Sequence, residues 1–151
     1  EDSCMKIKEI VVPANYNCPG QIVVSGEKEA IIRVTKNLNE KGARKVIPLS
    51  VGGAFHSPLM LPAKKILKEY IQKVQFKKPL CPIYQNSVGK GISSTEEIKK
   101  NLVNQLISPV LWTQSINQMI NDGINNFVEV GPGKVLQGLI KKINPDVNVA
   151  F

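Results

Sequence analysis

The stretch L-S-V-G-G-A-F-H-S-P-L-M at residues 49–60 limits what this chain can fold into more than any other. Upstream, Val46, Ile47, Leu49 and Val51 make an apolar run too short for a helix, so residues 44–51 read as a buried strand. Gly52 and Gly53 end that run, and Ser57 followed by Pro58 offers an N-cap and a first-turn proline for a helix. A strand handed to a helix across so short a turn belongs to an α/β arrangement. His56, the single histidine in 151 residues, falls in the handover. Ligands and catalytic groups gather at the carboxyl ends of strands in open α/β sheets, and a helix N-terminus disfavours positive charge. A histidine there is placed to accept a proton, and the competing reading is one that merely satisfies a turn.

The flanking sequence carries the same alternation. Val11 and Val12 begin a short strand that runs into the loop A-N-Y-N-C-P-G-Q, and a second strand spans residues 22–25, closed by Gly26. Residues 28–41 read as a helix through Ile31, Val34 and Leu38, with Gly42 as its stop. With the strand at 44–51 this suits a small split α+β unit with its helices on one face.

Beyond His56, a helix carries Ile66, Leu67, Tyr70, Ile71 and Val74 as one stripe, and residues 79–84 read as a marginal strand edged by proline. Ser94 and Glu97 form a capping box opening a helix with Ile98, Leu102, Val103 and Leu106 inward and Gln105 near that face. Helices at 112–123 and 134–143 and strands at 126–130 and 147–151 complete the reading.

Length and an apolar content of 42% fit one soluble domain with a real core. No run approaches the ~18 apolar residues of a membrane span. The three cysteines, Cys4, Cys18 and Cys81, are widely spaced and odd in number, which favours reduced thiols; with one histidine, no zinc site is expected. The net charge is +8, yet Arg33 and Arg44 are the only arginines and aromatics are 5%, which argues against nucleic-acid recognition. A basic face remains suited to an acidic protein partner.

The chain holds no G-x-S-x-G nucleophile elbow, so His56 has no evident hydroxyl to serve within it. V-E-V-G-P-G-K-V-L at 128–136 can present backbone N–H groups to an anion but lacks the spacing of a phosphate-binding loop, which favours a plain strand-to-helix turn. Asn15 and Asn17 are free either to meet a polar ligand or to bond their own loop, and Gln105 either to serve the histidine or to flank a helix.

N-Y-N-C-P-G-Q-I-V-V-S-G at 15–26, V-G-G-A-F-H-S-P-L-M at 51–60, Q-L-I-S-P-V-L-W at 105–112 and E-V-G-P-G-K-V-L-Q-G-L-I at 129–140 together resemble malonyl-CoA:acyl-carrier-protein transacylase, in that family's order and spacing. The resemblance covers nearly all of the chain but corresponds to the carboxyl-terminal half of the enzyme. The family's G-H-S-x-G serine, its oxyanion-hole glutamine and its malonyl-binding arginine belong to the amino-terminal half. The resemblance implies an α/β fold in which residues 1–48 are part of a ferredoxin-like small subdomain and 49–151 the C-terminal part of an α/β-hydrolase-like acyltransferase subdomain.

By the same resemblance, His56 is the general base of a Ser-His dyad and Gln105 orients its ring, through its main-chain carbonyl, in place of an acidic third member. Asn15, Asn17 and Gln21 match positions along the path of the pantetheine arm. Phe55 matches the selectivity position, where a phenyl ring leaves no room for a methyl-branched extender, a discrimination of about 1–3 kcal/mol. The implied substrate is malonyl-CoA, with no covalently bound cofactor and no metal. The implied partners are acyl carrier protein and the amino-terminal half, with no nucleic acid and no membrane. A bacterial cytoplasm or a bacterium-derived organelle, plastid-like or mitochondrial, suits the family. The fragment alone is expected to be inactive. The alternatives are a non-catalytic module that binds acyl carrier protein, or the acyltransferase domain of a larger multienzyme.

Overall fold

A computed structural model describes residues 1–150 of the chain. It is an α/β structure whose sheets are three separate strand pairs. After a short helix α1 (Asp2–Met5), strand β1 (Val11–Cys18) turns at Pro19-Gly20 and pairs antiparallel with β2 (Gln21–Gly26). The A-N-Y-N-C segment, read from sequence as a loop, is therefore strand. Its pairing is irregular beside Pro13, which has no N–H for the ladder, and again between Tyr16 and Cys18. Ala14 and Cys18 are buried along it, which a loop of asparagines would not suggest. Gly26 is required at the open end of the hairpin, opposite Val11, because a Cβ there would lie 2.2 Å from the Ile10 carbonyl oxygen.

Helix α2 (Lys28–Glu40) lays Ala30 and Val34 against Cys4 and Val11, with Ile7, Val24, Ile31 and Leu38 around them. It stops as its sequence implies: Gly42 takes φ +79° and the Ala43 N–H returns to the Leu38 carbonyl at 2.9 Å.

The expected strand at residues 44–51 does not form. An apolar run becomes a strand only where a neighbour takes up its backbone groups. Among the described residues none pairs with it, and Ile47, Leu49 and Val51 stand 59%, 58% and 63% exposed.

A 3-10 turn at Pro58–Met60 leads into α3 (Leu61–Lys73). Of its apolar stripe only Leu67 and Ile71 are partly covered, while Ile66, Tyr70 and Val74 face outward. Strand β3 (Ile83–Gln85) starts later than the prolines at its edge led one to expect, and it pairs antiparallel with an unforeseen β4 (Lys90–Ile92). Helix α4 (Thr95–Asn104) is capped by Ser94, whose Oγ accepts from the Glu97 N–H at 3.3 Å. A second 3-10 turn, Gln105–Ile107, continues it.

Helix α5 (Trp112–Asn121) and helix α6 (Val135–Ile143) share a second core of Ile116, Ile140 and Val147. Strands β5 (Asn126–Val128) and β6 (Asn148–Ala150) pair parallel, with α6 as the crossover. The sequence reading carried the last strand to Phe151, which lies outside the described residues. Val128 and, in the turn that follows, Val130 are 67% and 93% exposed. No helix among the described residues is long and apolar enough to cross a membrane.

Candidate functional site

His56 occupies the turn between the unpaired 44–53 segment and α3 with φ +61°, the one non-glycine residue at positive φ among those described. An L-residue pays about 1–2 kcal/mol for such a backbone, and strain of this kind concentrates at functional positions. The turn is closed beneath it by Ser57, which is fully buried; its Oγ donates to the Ala54 carbonyl at 2.6 Å and accepts from the Leu59 N–H at 3.3 Å. The Ser-Pro start read from sequence thus forms, with Pro58 at the first 3-10 position.

The strained turn aims the imidazole at the end of α4. Nδ1 lies 2.8 Å from the carbonyl oxygen of Gln105 and 3.2 Å from that of Ser108. Carbonyl oxygens only accept, so in the neutral ring Nδ1 carries the proton and Nε2 keeps a free lone pair. A helix end leaves carbonyl oxygens with spare acceptor capacity, and here the Gln105 carbonyl, which also accepts from the Ser108 N–H at 3.4 Å, and the Ser108 carbonyl just past the turn both face the imidazole. Gln105 meets the ring through its main chain; its side chain is partly buried and makes no hydrogen bond among the described residues.

The Ser108 carbonyl is held in turn. Two residues on, the Val110 N–H donates to the Ala14 carbonyl at 2.8 Å and the Val110 carbonyl accepts from the Tyr16 N–H at 2.9 Å, forming a parallel bridge between Asn15 and Val110. Thr113 Oγ1 adds a bond to the Tyr16 carbonyl at 3.0 Å, and the Leu111 N–H one to Asn86 at 2.8 Å. The β1–β2 hairpin, which carries Asn15, Asn17 and Gln21, is thereby tied to the segment that orients His56. None of those three side chains bonds to the imidazole, and Gln21 Oε1 accepts instead from the Cys18 thiol at 3.6 Å. Phe55 adjoins His56 in sequence, half exposed, with its ring 3.6 Å from where a Cβ on Gly53 would stand.

A buried polar pair beneath this end of α4 had no clear signal in the sequence. Gln85 Nε2 donates to the Ile98 carbonyl at 3.1 Å, and Asn101 Nδ2 donates to Gln85 Oε1 at 3.0 Å. The pair pins α4 to β3 one turn before Gln105. An asparagine among the inward positions of α4 was the one available hint.

At the other candidate, the glycine turn, the chain supplies its own anion. Glu129 accepts from the Leu136 N–H at 3.2 Å and the Gln137 N–H at 3.1 Å, so the carboxylate caps α6 and fills the place an external anion would take. The plain strand-to-helix reading of that turn therefore holds.

Charge elsewhere is arranged locally. Hydrogen bonding to its own backbone N–H and to Arg33 holds the Glu9 carboxyl below the usual range. The Tyr16 phenol is pushed up to about 12 by its bond to Glu1, and burial raises the Cys4 thiol. Among the described residues no group of His, Cys, Asp or Glu side chains could hold a metal ion.

The family model described as the acyl transferase domain matches residues 1–148. The chain belongs to the acyl transferase domain family. Within that family it is similar to the malonyl CoA-acyl carrier protein transacylase of Staphylococcus aureus, 45% identical over 141 residues that make up 93% of this chain and 46% of that protein. Among solved structures it superposes on the MCAT of Streptococcus pneumoniae with a TM-score of 0.95 at 40% identity, covering all of this acyl transferase chain and 50% of that one. It superposes equally well, at 0.95 and 36% identity over 99% of this chain and 50% of the other, on a structure described as a type II PKS acyl-carrier protein in complex with its malonyl-transacylase. The chain spans about half the length of the curated relatives it matches.

Proposed function

We propose that this chain is the carboxyl-terminal part of a malonyl-CoA:acyl-carrier-protein transacylase, and that His56 is the general base for a serine on the amino-terminal part. The observation that carries the reading is the imidazole held by its Nδ1 at 2.8 Å from the Gln105 carbonyl, with Nε2 left free to accept. In this reading Nε2 takes the serine proton as the oxygen attacks the malonyl thioester carbonyl. Collapse of the tetrahedral adduct breaks the C–S bond, and the departing coenzyme A thiolate receives the proton from Nε2. The second half-reaction repeats the steps with the phosphopantetheine thiol of the carrier as nucleophile and serine as leaving group. Asn15, Asn17 and Gln21 border the path of the pantetheine arm, and Phe55 excludes methyl-branched acyl groups.

The division into a ferredoxin-like small subdomain at 1–48 and the large-subdomain part at 49–151 is supported by the two separate cores, one around Val34 and one around Ile116. The amino-terminal part is expected to cover Ile47, Leu49 and Val51 and to extend the β5–β6 pair, since parallel strands normally have both faces buried. The experiment mixes the chain with a polypeptide bearing the relatives' amino-terminal portion and follows intact mass after malonyl-CoA is added. Malonylation of the companion that depends on the chain supports the reading. Capture of carrier protein without any acyl transfer favours a binding module instead.

A further inference from the structure

We propose that Ser57 is a positioning residue for His56: its buried hydroxyl locks the Ala54–Ser57 turn and so keeps the histidine backbone in the left-handed region from which the imidazole reaches the carbonyls of Gln105 and Ser108. The catalytic meaning rests on the function proposed above; the positioning itself does not. A turn whose third residue has positive φ ordinarily takes glycine or asparagine there. A histidine at φ +61° relaxes unless its surroundings over-determine it.

The surroundings that do so are few. Upstream, the segment through Ile47, Leu49 and Val51 has no strand partner among the described residues. Phe55 is half exposed. Ser57 alone in the turn is fully buried, and its Oγ bonds on both sides of His56, to the Ala54 carbonyl before it at 2.6 Å and to the Leu59 N–H after it at 3.3 Å. An N-cap needs only the second of these bonds. The first, and shorter, spans the histidine. Deleting the hydroxyl frees the strained residue to revert to negative φ, which swings the ring away from its two acceptors.

The test uses the 151-residue chain, whose single histidine gives one imidazole to follow. Nitrogen-15 NMR reads the tautomer of His56, and the HN–Hα coupling with the Cα and Cβ shifts reads the sign of its φ. The wild-type chain is expected to show positive φ and a single Nδ1–H tautomer. In Ser57→Ala both signatures are lost, and they are lost as well in Ser57→Cys, which keeps the side-chain shape with a slightly larger atom but donates poorly. Retention of both signatures in either folded variant overturns the assignment. So does failure of both variants to fold, which makes the hydroxyl a general folding residue. If the wild type mixed with its companion transfers no malonyl group, the proposed function fails while this result still stands.

Discussion

The Nδ1 atom of His56 lies 2.8 Å from the main-chain oxygen of Gln105, 49 positions further along the chain. The bond joins the strained turn before α3 to the end of α4, and it uses no atom of the glutamine side chain. Gln105→Ala should therefore leave malonyl transfer by the chain and its companion within about threefold of wild type, since the main-chain acceptor is kept and a truncation that breaks no side-chain bond costs little. Steady-state rates for the variant check this, and a hundredfold fall would move the orienting role onto the amide.

The Gln85–Asn101 pair beneath the same helix end is buried and mutually satisfied. Asn101→Ala leaves Gln85 Oε1 without a donor and should cost about 1–3 kcal/mol in urea unfolding. Replacing both by apolar residues, as in Gln85→Leu with Asn101→Leu, should cost less than the sum of the single changes, because no buried polar atom is then stranded.

Tyr16 donates its hydroxyl to Glu1 at 2.5 Å, and this raises its pKa from 10.0 to about 12. A group whose folded pKa is raised binds its proton more tightly in the native state. Its contribution is fully present below pH 10.0 and is lost as the pH climbs toward about 12. Tyr16→Phe should be less stable than wild type below that window, with the difference closing across it. Denaturant midpoints measured between pH 9 and 12 decide the matter; a gap that stays constant counts against the bond.

The helices α2, α4, α5 and α6 were legible in the chain because their signals are local: apolar spacing, a Ser94 cap, glycines at 42 and 123. The hairpin was hidden because A-N-Y-N-C is polar, and its strand character comes from β2 and from Val110, far away in sequence. Residues 44–51 failed in the opposite sense: the pattern is that of a strand, but no neighbour among the described residues pairs with it. At the site, the meeting of His56 with the Gln105 carbonyl came from a family resemblance, since no spacing rule connects two positions so distant. The positive φ of His56 and the buried Gln85–Asn101 pair are products of tertiary packing that residue types alone do not announce.

The most direct measurement is the initial rate of malonyl transfer from malonyl-CoA to carrier protein by the chain together with a polypeptide carrying the relatives' G-H-S-x-G portion, in the wild type and in His56→Ala. The account predicts no transfer by the chain alone, transfer by the mixture, and at least a hundredfold slower transfer by the variant, about the scale of a lost general base. Transfer by the chain alone, or a mixture indifferent to the loss of the imidazole, would contradict it.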